Sequence, residues 1–228
     1  MSKNIFITAT GTDVGKTYVS ALIVKKMRKM GFNCGYFKPV LSGVAEKDGF
    51  LVESDSNYVV DNAKIPTSAD DCVAFWWEEA VSPHLAAKRA GMEIDINKIK
   101  ESYKTQSEKY DYLLIEGAGG ITCPLRLENG EQYLLKDLIK ELNAPVIIVA
   151  DGGLGTINST LLTVEYAKIH DIEIRGIILN NFDSNSFMHQ DNLKQVEYLT
   201  GIKVLATVEA GQKDIEISEE LWTGKKKI

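Results

Sequence analysis

The chain has 228 residues, 44% hydrophobic and 25% charged, with a formal net charge of −6 and a pI of about 5.2. That suits one globular domain, residues 1–228, with enough chain to bury a sizeable core. It argues against the broad basic face of a nucleic-acid binder, and the tail run Lys225-Lys226-Lys227 reads as a solvated end. No stretch reaches the roughly 20 apolar residues that cross a bilayer, so neither nucleic acid nor membrane is expected as a partner.

The N-terminus leads straight into an apolar strand, NIFITA at 4–9, leaving no room for a signal peptide. Cys34, Cys72 and Cys123 follow no CxxC or metal spacing, and His84, His170 and His189 do not cluster. Reduced thiols in a cytoplasmic protein are the expectation, without a zinc site. Residues 16–30 read as a helix with Val19, Leu22, Ile23 and Met27 on one face and Gly31 as its stop. CGYFKPV at 34–40 is a second strand, broken by Pro39, and 54–62 a short helix capped by Ser54. The stretch 43–80 is the least regular. Its Trp76-Trp77 pair reads as core or lid, with an aromatic ligand box as the alternative.

Ser82 as cap, Pro83 at the first helical position and Gly91 as stop mark a helix over 82–91, and 95–109 forms another. A strand at 110–116 enters the glycine turn EGAGG, and 133–142 reads as a helix. A strand from 144 enters a second glycine turn, DGGLGT, followed by a helix over 157–170. A strand at 172–182, a helix at 185–200 and a last strand at 203–208 complete the order. The strands are near-continuous apolar runs, as in parallel sheets buried on both faces. Their alternation with helices predicts an α/β, doubly wound, mostly parallel sheet with helices on both faces. Ligands of such sheets bind beyond the carboxyl ends of the strands. Glycine loops stand at three such ends, after residues 9, 115 and 150.

The first loop ends in Gly15-Lys16-Thr17, the close of the phosphate-loop pattern G-x-x-x-x-G-K-[ST]. The first glycine falls one place late, at Gly11 rather than position 10, so the loop is a variant of that pattern. Backbone N–H groups from Asp13 to Thr17 can curl round phosphate oxygens, and the helix beginning near Gly15 adds its positive end. Lys16 would neutralise the β and γ phosphates, and the Thr17 hydroxyl would bind Mg2+. The order strand, loop, Gly-Lys-Thr, helix makes this a P-loop NTPase type of fold. Two carboxylates are placed to serve Mg2+, which prefers oxygen ligands. They are Glu116, ending YLLIE, and Asp55 in ESDSN, whose alternative role is to cap the next helix. Lys38, ending an apolar strand on the loop side, is either a solvated edge residue or a second cation for a transferred phosphoryl group.

These residues resemble the dethiobiotin synthetase family across most of the chain. The resemblance rests on GTDVGKT at 11–17, FKPVLSG at 37–43, SD at 54–55, SPHLAA at 82–87, EGAGG at 116–120, LGTIN at 154–158 and NN at 180–181. It departs at the loop start, where Ala9 and Gly11 replace a Gly and an Asp of the longer run seen in many members. The resemblance implies an ATP- and Mg2+-dependent cyclo-ligase making dethiobiotin from 7,8-diaminopelargonate and CO2, through a carbamate and a carbamic–phosphoric anhydride. It implies catalytic roles for Lys16, Lys38 and Thr12, and Mg2+ ligation by Thr17, Asp55 and Glu116. ATP would lie along Asp13, Val14, Gly15, Lys16, Thr17 and Tyr18, with Asp55, Glu116, Gly117, Ala118 and Gly119. Asn180 would take the adenine, with Asn181 also on the ATP and Glu209, Ala210 and Gly211 near the adenine. Substrate would meet Thr12, Lys38 and Ser42. In a homodimer, the Gly153, Leu154, Gly155 and Asn158 region would hold the carboxylate of a substrate bound mainly by the other subunit.

Three other readings compete. A partition or positioning ATPase switch usually carries a lysine at the loop start, and none lies between Lys3 and Lys16. A related ATP-dependent synthetase of the amidase type usually carries a further glutaminase domain, for which this length leaves no room. A small-molecule kinase would need an arginine-rich lid, whereas Arg28, Arg89, Arg126 and Arg175 are well spread.

Overall fold

The computed structural model describes residues 3–128 and 130–223; the lysine run at 225–227 lies outside them. In chain order the first half comprises β1 (Lys3–Ala9), α1 (Lys16–Lys29), β2 (Cys34–Ser42), β3 (Ala45–Lys47), β4 (Phe50–Glu53), α2 (Asp55–Ala63), β5 (Val73–Trp77), α3 (Pro83–Arg89) and α4 (Ile96–Lys109). The second half comprises β6 (Tyr112–Glu116), β7 (Pro124–Glu128), β8 (Glu131–Leu134), α5 (Leu135–Glu141), β9 (Val146–Asp151), α6 (Thr156–Ile169), β10 (Ile174–Asn180), α7 (Phe187–Thr200), β11 (Val204–Val208) and the short α8 (Glu220–Thr223).

Seven strands form one sheet in the order β11-β10-β9-β1-β6-β2-β5, and every pairing in it is parallel. Ile5, Phe6 and Ile7 of β1, Leu113, Leu114 and Ile115 of β6, and Val146 to Val149 of β9 are all fully buried. Successive strand residues point to opposite faces, so unbroken burial means helices cover both. Each such side chain contributes about 1.5–3 kcal/mol on burial. The three strands with glycine loops at their carboxyl ends, β9, β1 and β6, are the central neighbours.

Three expectations need correction. Pro39 does not break β2, which runs on to Ser42. Pairing with β6 ends at Phe37 and pairing with β5 carries the strand onward from Lys38, so Pro39 sits past the last β6 pair. Two antiparallel hairpins, β3–β4 and β7–β8, stand outside the sheet, and the second occupies the start of the helix expected at 133. That helix begins at Leu135, where the Leu134 N–H donates to Asp137 at 2.8 Å. Ser82 takes the cap position of α3 without a side-chain capping bond. The pair in the irregular stretch divides. Trp77 is buried and stacked on Phe75, with centroids 5.9 Å apart and planes 2° from parallel. Trp76 packs half-buried against Leu41, Val44 and Leu51.

Candidate functional site

The loop after β1 turns into α1 through two left-handed residues, Asp13 at φ 59° and Gly15 at φ 93°. Gly15 is the N-cap, so no side chain competes for the first N–H groups of α1, and the first turn holds no acid. The result is an open helix N-terminus suited to an anion. Gly15 is required on two counts. Its φ is one that a side chain strains, and a Cβ there would collide with the Asn180 carboxamide. Asn180, at the end of β10 and nearly buried, donates from Nδ2 to the Val14 carbonyl at 3.0 Å. Its Oδ1 is buried without a hydrogen-bond partner among the described residues. Such an acceptor is costly unless a ligand donor meets it. Lys16 reaches back to the Gly11 carbonyl at 3.2 Å. Burial, and then the charge of Lys38, hold its pKa below the ordinary value.

Strand alternation builds the charged centre. Tyr36 and Lys38 are two apart on β2 and share a face, as do Leu114 and Glu116 on β6; Tyr36 is in register with Leu114. Both β2 side chains therefore reach Glu116, which is fully buried. Lys38 Nζ lies 2.6 Å from Glu116 Oε1 and also pairs with Asp55 Oδ2. Thr17, at the start of α1, donates to the same Oε1 at 2.8 Å. Tyr36 donates to the other oxygen, Oε2, at 3.1 Å. Burial alone would lower the Lys38 pKa, but the charges and hydrogen bonds of Glu116 and Asp55 outweigh it and raise it. Burial likewise works to raise the Asp55 pKa and is outweighed by Lys38, so the carboxyl is held below its usual range. Burial and then the Glu116 charge push the Tyr36 phenol well above its ordinary value, so its hydroxyl remains a donor.

Ser54 does the capping of α2, accepting from the Asn57 N–H at 3.2 Å, which leaves Asp55 free to pair with Lys38. Three oxygen-bearing side chains, Thr17, Asp55 and Glu116, thus meet in one place. Hard oxygen donors of this kind suit Mg2+, which is usually held by one or two carboxylates plus phosphates and water. Among the described residues no cluster of three or more His, Cys, Asp or Glu could hold a metal ion unaided. The donor set fits a cation arriving with a nucleotide.

Thr17 and Asp55 line a cavity of about 630 Å3 together with Thr12, Asp13, Lys16 and Lys38, whereas Glu116 is fully buried and is not part of its wall. Ser42, Tyr18, Ala118 and Gly119 line it too. Ser42 donates to the Val81 carbonyl at 2.6 Å. Motif spacing does not single out Val40, Leu41 and Tyr58, which also line the cavity. The first two belong to β2 past Pro39; Tyr58 lies one helical turn beyond Ser54, which makes it legible once Asp55 is accepted. Gly117 stands beside the site with no space for a side chain, since a Cβ would lie 2.7 Å from Leu135 and 2.8 Å from Phe6.

Other predicted residues are not brought to this cavity. Gly153, Leu154, Gly155 and Asn158 stand at the turn between β9 and α6 and do not line it. Leu154 is 93% exposed. Asn181 donates to Asp151 Oδ2 at 2.7 Å, and the other Asp151 oxygen accepts from the Gly153 N–H at 2.8 Å, so Asn181 braces that turn. Glu209, Ala210 and Gly211 follow β11, with the Glu209 N–H on the Gln212 side chain at 2.9 Å. The Tyr18 hydroxyl, on α1, donates to the Gln212 carbonyl and ties this segment to the helix behind the phosphate loop.

Residues 3–214 match the family model described as "AAA domain". The chain is 47% identical over 221 residues to the ATP-dependent dethiobiotin synthetase BioD of Brachyspira hyodysenteriae, covering 95% of this chain and 98% of that protein. It is 46% identical over 220 residues to the protein of the same name from Clostridium botulinum, covering 96% of each. Among solved structures it resembles the MinC:MinD cell division complex of Aquifex aeolicus with a TM-score of 0.55 at 15% identity, covering 92% of this chain and 82% of that one. At that identity the likeness speaks for the fold alone.

Proposed function

The chain belongs to the ATP-dependent dethiobiotin synthetase family, and from that footing we propose how its residues carry out the reaction. The activity is that of an ATP-dependent ligase of biotin biosynthesis, closing the ureido ring of dethiobiotin. The observation that carries the residue assignment is the convergence of Lys38, Asp55, Glu116 and Thr17 at the mouth of a phosphate loop.

One amine of 7,8-diaminopelargonate takes up CO2 and loses a proton, giving a carbamate. A carbamate oxygen attacks the γ-phosphorus of ATP and ADP leaves. The second amine then attacks the carbamoyl carbon and phosphate leaves, closing the ring as the amine proton is lost. Little covalent work falls to side chains, so catalysis is positioning and charge stabilisation. Lys16 and the N–H groups of Asp13 to Thr17 hold the phosphates. Lys38 faces the transferred phosphoryl group and the carbamate, with Thr12 at the loop edge and Ser42 on the substrate side. Thr17, Asp55 and Glu116 would hold Mg2+, which when bound neutralises charge developing between the β and γ phosphates. The unpartnered Oδ1 of Asn180 is an acceptor for the adenine amino group, while its Nδ2 keeps the loop in register.

A homodimer completes the substrate site in this reading. Leu162 and Ile169, seven apart on one face of α6, are 63% and 74% exposed, and Leu154, Phe187 and Tyr198 are exposed as well. An apolar group of this kind supports a partner surface. A second copy placed there would bring the turn at Gly153 to Asn158 to the other subunit's substrate. The three cysteines are free thiols, which supports a reducing, cytoplasmic site of action; no described helix is long and apolar enough to cross a membrane.

The test is to incubate purified protein with MgATP, bicarbonate and 7,8-diaminopelargonate and follow ADP and dethiobiotin together. One-to-one formation of both is expected. ADP release indifferent to the diamine, with no dethiobiotin, would overturn the reading.

A further inference from the structure

Tyr36 is fully buried, yet it carries a hydroxyl where phenylalanine would fill nearly the same space. Buried hydroxyls persist where they have a partner, and this one donates to Glu116 Oε2 at 3.1 Å. The two oxygens of Glu116 are divided. Oε1 takes the groups on the phosphate side, Thr17 at 2.8 Å and Lys38 at 2.6 Å. Oε2 takes Tyr36. The division follows from strand geometry, because the β2–β6 register sets Tyr36 opposite Leu114, one same-face step before Glu116.

We infer that Tyr36 is a positioning residue for the metal step, anchoring Oε2 of Glu116 so that Oε1 alone is presented toward the Mg2+ of MgATP. The inference rests on the reading of Glu116 as a metal ligand. A cation arriving at Oε1 must displace the bonds from Thr17 and Lys38, whereas the bond from Tyr36 survives on the far oxygen. Without it the carboxylate is free to turn about its last bond and offer both oxygens to the Lys38 ammonium. Hydrogen bonds behind a metal-ligating carboxylate are typically worth about 10–100-fold in metal affinity.

The experiment measures Mn2+ binding by electron paramagnetic resonance, in the presence of a non-hydrolysable ATP analogue, in four proteins: the parent, Tyr36→Phe, Glu116→Gln and the double variant. Urea unfolding of each establishes that it is folded. Tyr36→Phe is expected to weaken Mn2+ about 10-fold in the parent and less than about 2-fold in the Glu116→Gln background. In turnover, the Mg2+ concentration for half-activity rises by a similar factor while kcat at saturating Mg2+ stays within about 3-fold. Unchanged Mn2+ affinity, or equal weakening in both backgrounds, overturns the inference. If Glu116→Gln leaves Mn2+ binding as it was, the metal role of Glu116 falls and the inference with it. If the parent forms no dethiobiotin yet the four-protein pattern holds, the inference stands and only the substrate reading fails.

Discussion

Lys38→Met keeps the stem of the side chain and deletes its ammonium. Lys38 is 2% exposed and Glu116 fully buried, with 2.6 Å between charged atoms. At an effective dielectric of about 20 the attraction at that distance is about 6 kcal/mol. Desolvation of both groups offsets much of it, and breaking a buried pair by removing one partner typically costs about 3–5 kcal/mol. Glu116 would keep two donors, Thr17 and Tyr36, and the Asp55 side chain is 39% exposed and can rehydrate. The expected loss is therefore at the low end, about 3 kcal/mol. Urea unfolding without nucleotide or Mg2+ reads it as a midpoint about 1 M lower. Adding Glu116→Gln removes the orphaned charge and should restore about 2 kcal/mol. Because the folded-state pKa of Lys38 is raised, its stabilisation is complete below the ordinary value of 10.5 and is lost as pH rises through the folded value. The gap between the parent and Lys38→Met is thus flat near neutrality and narrows only above about pH 10.5. A loss under about 1 kcal/mol, or no recovery in the double variant, would refute the view that the ammonium neutralises a buried carboxylate.

Gly15→Ala places a Cβ against Asn180 at a strained φ; nucleotide affinity by calorimetry should fall at least about 10-fold, and parental affinity would contradict the loop geometry. Leu162→Glu puts a charge into the exposed face of α6 and should give a monomer by light scattering with dethiobiotin formation lost; an active dimer would place the interface elsewhere. Burial pushes the Cys123 thiol up to about 11. At pH 8 its thiolate fraction is then about 200-fold below that of a free cysteine. Iodoacetamide labelling should be correspondingly slow and rise about tenfold per pH unit up to about 11; labelling at the free rate counts against that environment.

Residues whose roles are local are legible in the sequence. The helix face of Val19, Leu22, Ile23 and Met27 follows from spacing, and all four are buried. Gly15-Lys16-Thr17 at a strand-to-helix turn states its chemistry because N–H direction and helix polarity are set within a few residues. What spacing cannot convey depends on pieces of chain far apart. Local pattern understates the length of β2, because Pro39 is tolerated only where β6 hands over to β5. The approach of Asp55 to Lys38 requires the β3–β4 hairpin to return the chain to the site.

The sequence by itself therefore determined the α/β class, the phosphate loop and the identities of the charged residues, since hydrophobic periodicity and turn chemistry act over a few positions. The tertiary structure alone decided that Lys38 is a buried counter-ion rather than a solvated edge residue, and that Tyr36 is hydrogen-bonded to Glu116. Both outcomes come from the register between β2 and β6, which sets which side chains share a face and how dry that face is. Register is a property of two strands brought together, 78 residues apart from Lys38 to Glu116, and neither strand carries it alone.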